Sequence, residues 1–108
     1  MADQVLPFEP STPNYRVATT LGELVFIFDV RWNTRDAAWY LDIRSVDETL
    51  IAAGIKVVLG TLLGKRYTSP LLPDGILFAA DLAGTGVDPG LDDLGDRVRV
   101  YFRPTEDL

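Results

Sequence analysis

The sequence predicts an all-β fold: a small single-domain β-barrel or sandwich of about seven short antiparallel strands, with at most one short helical turn. Apolar and polar residues alternate with a period of two in stretches such as LVFIFDVRW and RVRVYFR, which is the pattern of half-buried strands. Turn-forming Gly, Pro, Asn and Asp residues separate these stretches at short intervals, as in all-β domains. A chain of 108 residues has the size of one domain.

The N-terminal residues 1–13 contain three of the seven prolines, and proline is unfavourable inside a sheet because it lacks an N–H donor. We therefore predict an extended N-terminal arm at 1–13, a single β domain at 14–104 and a C-terminal tail at 105–108. The arm carries apolar side chains, which either cover one end of the core or reach a neighbouring subunit. These side chains are Val5, Leu6 and Phe8.

The clearest predicted element is a hairpin whose strands, at residues 24–32 and 39–44, flank the polar loop Asn33–Asp36. Asn and Asp favour turns, and a loop of about four residues brings Trp32 and Trp39 together on one face. We expect both tryptophans to pack in the core and the charged residues to pair on the other face. The expected ion pairs are Arg31 with Asp42, or Asp29 with Arg44.

The remaining elements follow the same pattern of alternation and turns. Another strand is expected around Tyr15–Thr19, before a glycine turn, and an apolar strand with a bulge at Gly54 is expected after residue 50. Residues 60–67 are too short and glycine-bounded for more than one turn of helix. Further along the chain we expect a turn at Pro73–Gly75, a strand at Ile76–Asp81, a polar loop at 82–96, and a last strand with Val98, Val100 and Phe102 facing inward.

The composition lowers the expectation of catalysis. The chain has neither cysteine nor histidine, so it lacks a thiolate nucleophile, the commonest general base and the commonest transition-metal ligand. An enzyme that uses Asp and Tyr is the weakest of the functional hypotheses, and we predict that the protein is not an enzyme and has no catalytic residues. The net charge of −6 argues against binding to nucleic-acid backbones. No N-terminal signal pattern and no apolar run of about 20 residues is present, so we expect neither secretion nor a membrane partner.

The glycine- and aspartate-rich segment near residues 81–96 is the sharpest candidate for metal chemistry. Clustered carboxylates can bind calcium, but their spacing matches no EF-hand loop, and Asp and Gly are also ordinary turn residues. We predict no metal and no cofactor, and calcium binding stays open. The carboxylates concerned belong to Asp81, Asp88, Asp92, Asp93 and Asp96.

The last predicted strand has arginines along its outward face. Like charges on one strand face repel unless carboxylates lie opposite them, in this chain or in another. Arg and Tyr are also enriched at protein interfaces; the alternative is pairing with Asp29 or Asp42 inside the same sheet. Together with the arm, this strand gives the candidate interface residues Val5, Leu6, Phe8, Arg97, Arg99, Tyr101 and Arg103.

The order of several segments resembles the baseplate plug-like protein family of contractile-tailed bacteriophages, a domain family first recognised in cyanophage baseplates. The segments are RWN, WYLDI, AAGIKVVLGTLLGKRY, GILFAADL, DDLG and RVRVYF, and they span residues 14–103. The proline-rich arm and the Asp-rich loop depart from the family pattern.

This resemblance implies a structural role through protein–protein contacts in assembly or in closing the tail tube. The implied partners are other phage baseplate proteins (hub, spike and tail tube), with multiple copies in the particle. The implied location is the virion tail baseplate, after synthesis in the host cytoplasm. The family supplies no catalytic residues.

A second functional hypothesis is a small β-barrel module that binds a carbohydrate or another small molecule. Its stacking platform would consist of Trp32, Trp39 and Tyr40, provided that these aromatic side chains lie on an exposed face.

Overall fold

Two antiparallel four-stranded sheets pack face to face in a sandwich. The structure, a computed structural model, describes residues 3–64 and 71–107. Within these residues the strands, in chain order, are β1 (Gln4–Val5), β2 (Asn14–Leu21), β3 (Leu24–Asn33), β4 (Ala38–Ser45), β5 (Leu50–Lys56), β6 (Leu62–Leu63), β7 (Gly75–Asp81) and β8 (Val98–Pro104), followed by the 3₁₀ helix η1 (Thr105–Asp107).

Sheet I has the strand order β1-β8-β7-β6, and sheet II has the order β2-β3-β4-β5. The all-β prediction is therefore confirmed, and the architecture is the sandwich rather than a closed barrel. None of the helical structure in the described ranges is long and apolar enough to span a membrane.

The β3–β4 hairpin forms as the sequence predicts. Trp32 is directly opposite Trp39, and their rings meet edge to face at 5.4 Å between centroids. Trp39 is fully buried, whereas Trp32 is half-buried. The loop is one residue later than expected, because Asn33 pairs with Ala38 as the last rung of the ladder.

The outer face of sheet II carries the expected ion pairs. Arg31 contacts Asp42 at 2.8 Å, and Arg44 contacts Asp29 at 2.8 Å. Asp29 also accepts a 2.7 Å bond from Arg16 of the neighbouring strand β2, a third partner beyond the predicted pairs. The bonds from Arg16 and then Arg44, which exceed the opposing effect of partial burial, lower the pKa of the Asp29 carboxyl.

The predicted bulge in β5 is also present. The pairing of β4 with β5 slips between Leu41 and Ile43, and Gly54 has a φ of +68°, which only glycine adopts at little cost. Its N–H donates to the Asp42 carboxylate at 2.9 Å. Of the helical turn expected at residues 60–67, the part at Leu62–Leu63 is instead strand β6, and residues 65–67 lie outside the described ranges.

The core lies between the two sheets, and inward positions of both contribute to it. Val98, Val100 and Phe102 of β8 are all essentially buried, as the alternation predicts. The N-terminal segment belongs to this core as well, since Leu6 and Phe8 are 2% and 6% exposed. The division into an arm at 1–13, a domain at 14–104 and a tail at 105–108 stays a prediction, although residues 4–8 contact the domain closely.

Candidate protein interface

A row of apolar and aromatic side chains crosses the outer face of sheet I from edge to edge. Val5 of β1 pairs with Tyr101 of β8, Tyr101 pairs with Phe78 of β7, and Phe78 pairs with Leu62 of β6. Residues directly opposite each other on neighbouring strands share one face of a sheet. These four residues therefore form a continuous line on the face that points away from the core, and we call them the outer row.

The outer row is accessible and internally ordered. Val5 and Leu62, at its two ends, are each 44% exposed, and the rings of Phe78 and Tyr101 stack at 5.6 Å between centroids. The Arg103 guanidinium lies 5.4 Å from the centre of the Phe78 ring, within the range of a cation–π contact. The result is an aromatic strip flanked by cationic groups, which has the composition of interface cores.

Two of the three outward arginines are neutralised within the chain. Arg103 binds both carboxylate oxygens of Asp3, at 2.7 and 2.9 Å, and these bonds lower the pKa of Asp3. Arg97 contacts Asp81 at 3.0 Å and Asp93 at 3.2 Å. The acids are therefore not Asp29 and Asp42, which belong to sheet II, because the strand that carries the arginines lies in the other sheet.

Arg99 differs from the other two arginines. It is exposed and pairs with Ala80 of β7 across the sheet, next to the outer row. Within residues 3–64 and 71–107, no carboxylate lies within salt-bridge distance of it. Its guanidinium can therefore bind a carboxylate of another molecule without first breaking an ion pair to any of these described residues.

The structure brings four of the seven candidate interface residues together and separates three. Val5, Arg99, Tyr101 and Arg103 lie on the outer face of sheet I, whereas Arg97 lies at the loop end of β8. The side chains of Leu6 and Phe8 point into the core, so they follow the alternative in which the N-terminal segment covers one end of the core. Phe8 packs edge to face on Phe28 at 5.8 Å between ring centroids. The role of these residues in an interface stays a prediction.

Sequence reasoning missed Phe78 and Leu62, the other half of the outer row. Alternation in GILFAAD places Phe78 on the opposite face of the strand from its buried neighbours Leu77 and Ala79. The outward position of Phe78 therefore follows from the sequence. That it adjoins Tyr101 depends on the pairing of β7 with β8, which are separated by a long loop. No local pattern in the sequence indicates that pairing or its register.

The proposed stacking platform of Trp32, Trp39 and Tyr40 is divided in the structure. Trp39 is fully buried and donates its indole N–H to the Gly90 carbonyl at 2.9 Å, so it cannot stack on a ligand. Trp32 and Tyr40 do line an open cleft of about 530 Å³ beside Arg31 and Asn33. In the ligand-binding hypothesis, the rings that remain available for stacking are therefore those of Trp32 and Tyr40.

Three of the five carboxylates of the Asp-rich segment, those of Asp81, Asp88 and Asp93, accept hydrogen bonds from backbone N–H groups. Asp81 receives the N–H groups of Ala83, Thr85 and Gly86 at 2.7–2.9 Å, and Asp93 receives that of Gly90 at 2.8 Å. Across the parts of the chain that the structure describes, no three carboxylates are grouped so as to hold a metal ion. The bonds to Asp81 and Asp93 stabilise the conformation of the loop.

The pKa of the Asp81 carboxyl lies far below its ordinary value because the Thr85 hydroxyl and then several backbone N–H groups bind its ionised form. Because this pKa is lower in the folded than in the unfolded protein, the ionised carboxylate stabilises the fold at pH values above the unfolded-state pKa of about 4. This stabilisation is lost as the pH falls toward the folded-state pKa. We expect Asp81→Asn to lower the free energy of unfolding at about pH 7 and the difference from wild type to narrow below about pH 4. Urea unfolding at several pH values measures this, and a pH-independent difference would contradict it.

Comparison with known protein families matches residues 4–105 to the family described as "Cyanophage baseplate Pam3 plug gp18". The match includes all eight strands of the sandwich and all seven candidate interface residues. No significant match is found among curated proteins. Members of this family are structural baseplate components, and the match covers nearly the whole chain. The chain therefore belongs to the cyanophage baseplate plug family.

Proposed function

We propose that this protein works near the axial hub and spike of a contractile-tail baseplate, where it joins other subunits and helps to close the tail tube before infection. The family match over residues 4–105 carries this proposal, because it assigns the chain to baseplate plugs. In this proposal the protein acts through its surfaces and has no catalytic step.

The outer face of sheet I is the proposed docking surface. Its outer row is continuous over the four strands of the sheet, and it ends in the exposed side chains of Val5 and Leu62. Burying this apolar surface against a partner is favourable in proportion to its area. The Phe78–Tyr101 stack is already ordered in the free chain, so little side-chain entropy is lost on docking.

The occupant of this surface is a neighbouring baseplate protein with an apolar patch and a carboxylate opposite Arg99. Arg103 and Arg97 are already paired with Asp3, Asp81 and Asp93, so among the three arginines of residues 97–103 it is Arg99 that supplies the new ion pair. A stable contact of this kind buries above about 1,000 Å² in total. A second copy of this acidic chain fits less well, because net charges of −6 repel each other.

Reversing the charge of Arg99 tests the docking surface. We expect Arg99→Glu to reduce the number of copies per purified tail by about tenfold or more, because a like-charge contact in an interface costs several kcal/mol. The matched control is Arg35→Glu, which makes the same charge change in the exposed β3–β4 loop. Quantitative mass spectrometry of purified particles measures both. Equal incorporation of the two variants would show that this face is not the docking surface.

The axial position is tested by cross-linking on intact particles. The chain has only two lysines but sixteen acidic residues, so a carboxyl-reactive cross-linker reports on far more of its surface than an amine-reactive one. We expect cross-links from this chain to hub, spike or tail-tube subunits. Cross-links confined to the outer sheath or fibres would contradict a role in closing the tube.

A further inference from the structure

Strand β2 is a long, regular edge of sheet II. It spans the eight residues Asn14–Leu21 and, among the described strands, pairs only with β3. Edge strands β1 and β6 of sheet I have two residues each, and edge strand β5 is interrupted by its bulge. Short or bulged edges resist further pairing, whereas a long unbroken edge accepts another strand. Among the described edges, β2 is therefore the one suited to strand addition.

The phase of the ladder fixes which backbone groups of β2 face outward. Trp32 donates its N–H to the Pro13 carbonyl at 2.7 Å, which identifies that rung as a hydrogen-bonded one. Hydrogen-bonded rungs alternate with non-bonded rungs in antiparallel pairs, so Tyr15, Val17, Thr19 and Leu21 bond to β3. The N–H and C=O groups of Asn14, Arg16, Ala18 and Thr20 point away from the sheet.

One of these outward groups already has a partner. The Gln4 side-chain amide donates to the Thr20 carbonyl at 2.7 Å. Inside residues 3–64 and 71–107, the outward backbone groups of Asn14, Arg16 and Ala18 receive no such bond. Three consecutive outward positions, spread over about 13 Å of strand, thus have the pattern that an added antiparallel strand requires.

The side chains around this edge indicate the chemistry of the added strand. On the core side, Tyr15 and Val17 are half-buried and pack against the hydrophobic core, so apolar side chains of an added strand would extend that core. On the outer side, Arg16 is neutralised by Asp29 and Glu48 at 2.7 and 2.6 Å. The edge therefore has no free cation of its own.

Acidic residues border the edge at both ends. Glu9 is exposed, and its backbone N–H donates to the Tyr15 hydroxyl oxygen at 2.8 Å, which places Glu9 near the start of β2. Glu23 is exposed in the turn that follows β2. A segment with Lys or Arg near its ends complements this arrangement better than a second copy of this chain, whose own β2 is bordered by the same two acids.

We propose that the β2 edge binds an extended segment of a neighbouring baseplate protein, with alternating apolar residues and basic residues near its ends, as an added antiparallel strand. This inference rests on the proposed function, since it assumes a place in the baseplate. It adds a second contact, made by backbone groups, to the side-chain surface on sheet I.

Hydrogen exchange of the native chain tests the pairing without any substitution. In the isolated protein, the amides of Arg16 and Ala18 should exchange rapidly and those of Val17 and Thr19 slowly, since only the latter bond to β3. In intact particles, the Arg16 and Ala18 amides should slow by about 100-fold or more, as expected for amides that gain hydrogen bonds in a stable ladder. Mass spectrometry with single-residue fragmentation resolves the two sets.

Two pairs of variants separate the backbone contribution from the charges. Ala18→Pro removes an outward N–H but no bond to β3, and should reduce copies per particle by about tenfold, whereas Ala18→Val keeps the N–H and should incorporate normally. Glu23→Lys should also reduce incorporation, whereas Glu106→Lys, in the exposed C-terminal turn, should not. Circular dichroism and the exchange of Val17 establish that each variant is folded.

The possible results are distinct. If the chain is present in particles but Arg16 and Ala18 exchange as fast as in isolation, strand addition is wrong and the proposed function stands. If sedimentation shows that the isolated protein is a dimer, and its Arg16 and Ala18 amides are already protected, the added strand comes from a second copy of this chain. The proposal of a basic segment from another protein is then wrong. If Glu23→Lys incorporates like Glu106→Lys, the proposal that the added strand has basic residues near its ends is wrong. Absence of the chain from particles would overturn the proposed function and this inference together.

Discussion

Replacing Trp39 with alanine is expected to lower the free energy of unfolding by about 3–5 kcal/mol, the usual cost of removing a large aromatic side chain from a core. Trp39 is 0% exposed and contacts the rings of Tyr15 and Trp32 edge to face at 6.5 and 5.4 Å between centroids. Its removal also leaves the Gly90 carbonyl without the indole N–H donor. Urea denaturation followed by circular dichroism measures the loss.

Two further variants separate the contribution of packing from that of the indole hydrogen bond. Trp39→Phe keeps most of the packing but not the N–H donor, so it should cost about 1–3 kcal/mol, the range for an unsatisfied buried acceptor. Trp32→Ala removes the half-buried partner of the same ring pair and should cost less than Trp39→Ala. If Trp39→Ala cost under about 1 kcal/mol, the indole would not be a core element and the ligand-platform hypothesis would regain Trp39.

The β3–β4 hairpin could be predicted from the sequence because its information is local. A period of two fixes which side chains share a face, and the length of the polar loop fixes the register within about one residue. Once Trp32 is opposite Trp39, the ion pairs of Arg31 and Asp29 on the other face follow from the same alternation. The structure shifts the loop by one residue and leaves Trp32 half-buried against the core.

The candidate interface was predicted less well because it depends on contacts between distant segments. Leu6 and Phe8 are apolar whether they reach a neighbour or fill the core, and only the pairing of β1 with β8 turns them inward. The same long-range pairing brings Asp3 to Arg103, at a separation of 100 residues. Composition indicated that the arginines need acids, but it could not indicate which ones.

The contact that holds the N-terminal segment against the Asp-rich loop depends on the absence of a side chain at Gly95. This residue has a φ of +94°, and a Cβ atom there would lie 2.3 Å from the Phe8 carbonyl oxygen. We expect Gly95→Ala to cost about 3–5 kcal/mol. The left-handed backbone costs about 1–2 kcal/mol for a residue other than glycine, and the close contact shifts Phe8 partly out of the core, with a further loss of about 2–3 kcal/mol, part of the cost of truncating a buried ring.

The matched control is Gly84→Ala, in the same loop. Gly84 has a φ of +70°, and nothing lies within 4 Å of the position of its Cβ, so only the backbone cost of about 1–2 kcal/mol should appear. Denaturant unfolding gives both values, and hydrogen exchange locates the change. In Gly95→Ala, the Leu6 amide, which donates to the Val100 carbonyl at 2.9 Å, should lose protection before the β3–β4 hairpin does. Equal losses in the two variants would mean that the segment adjusts around the new methyl group, and that Phe8 is held by its packing on Phe28 rather than by the fit against Gly95.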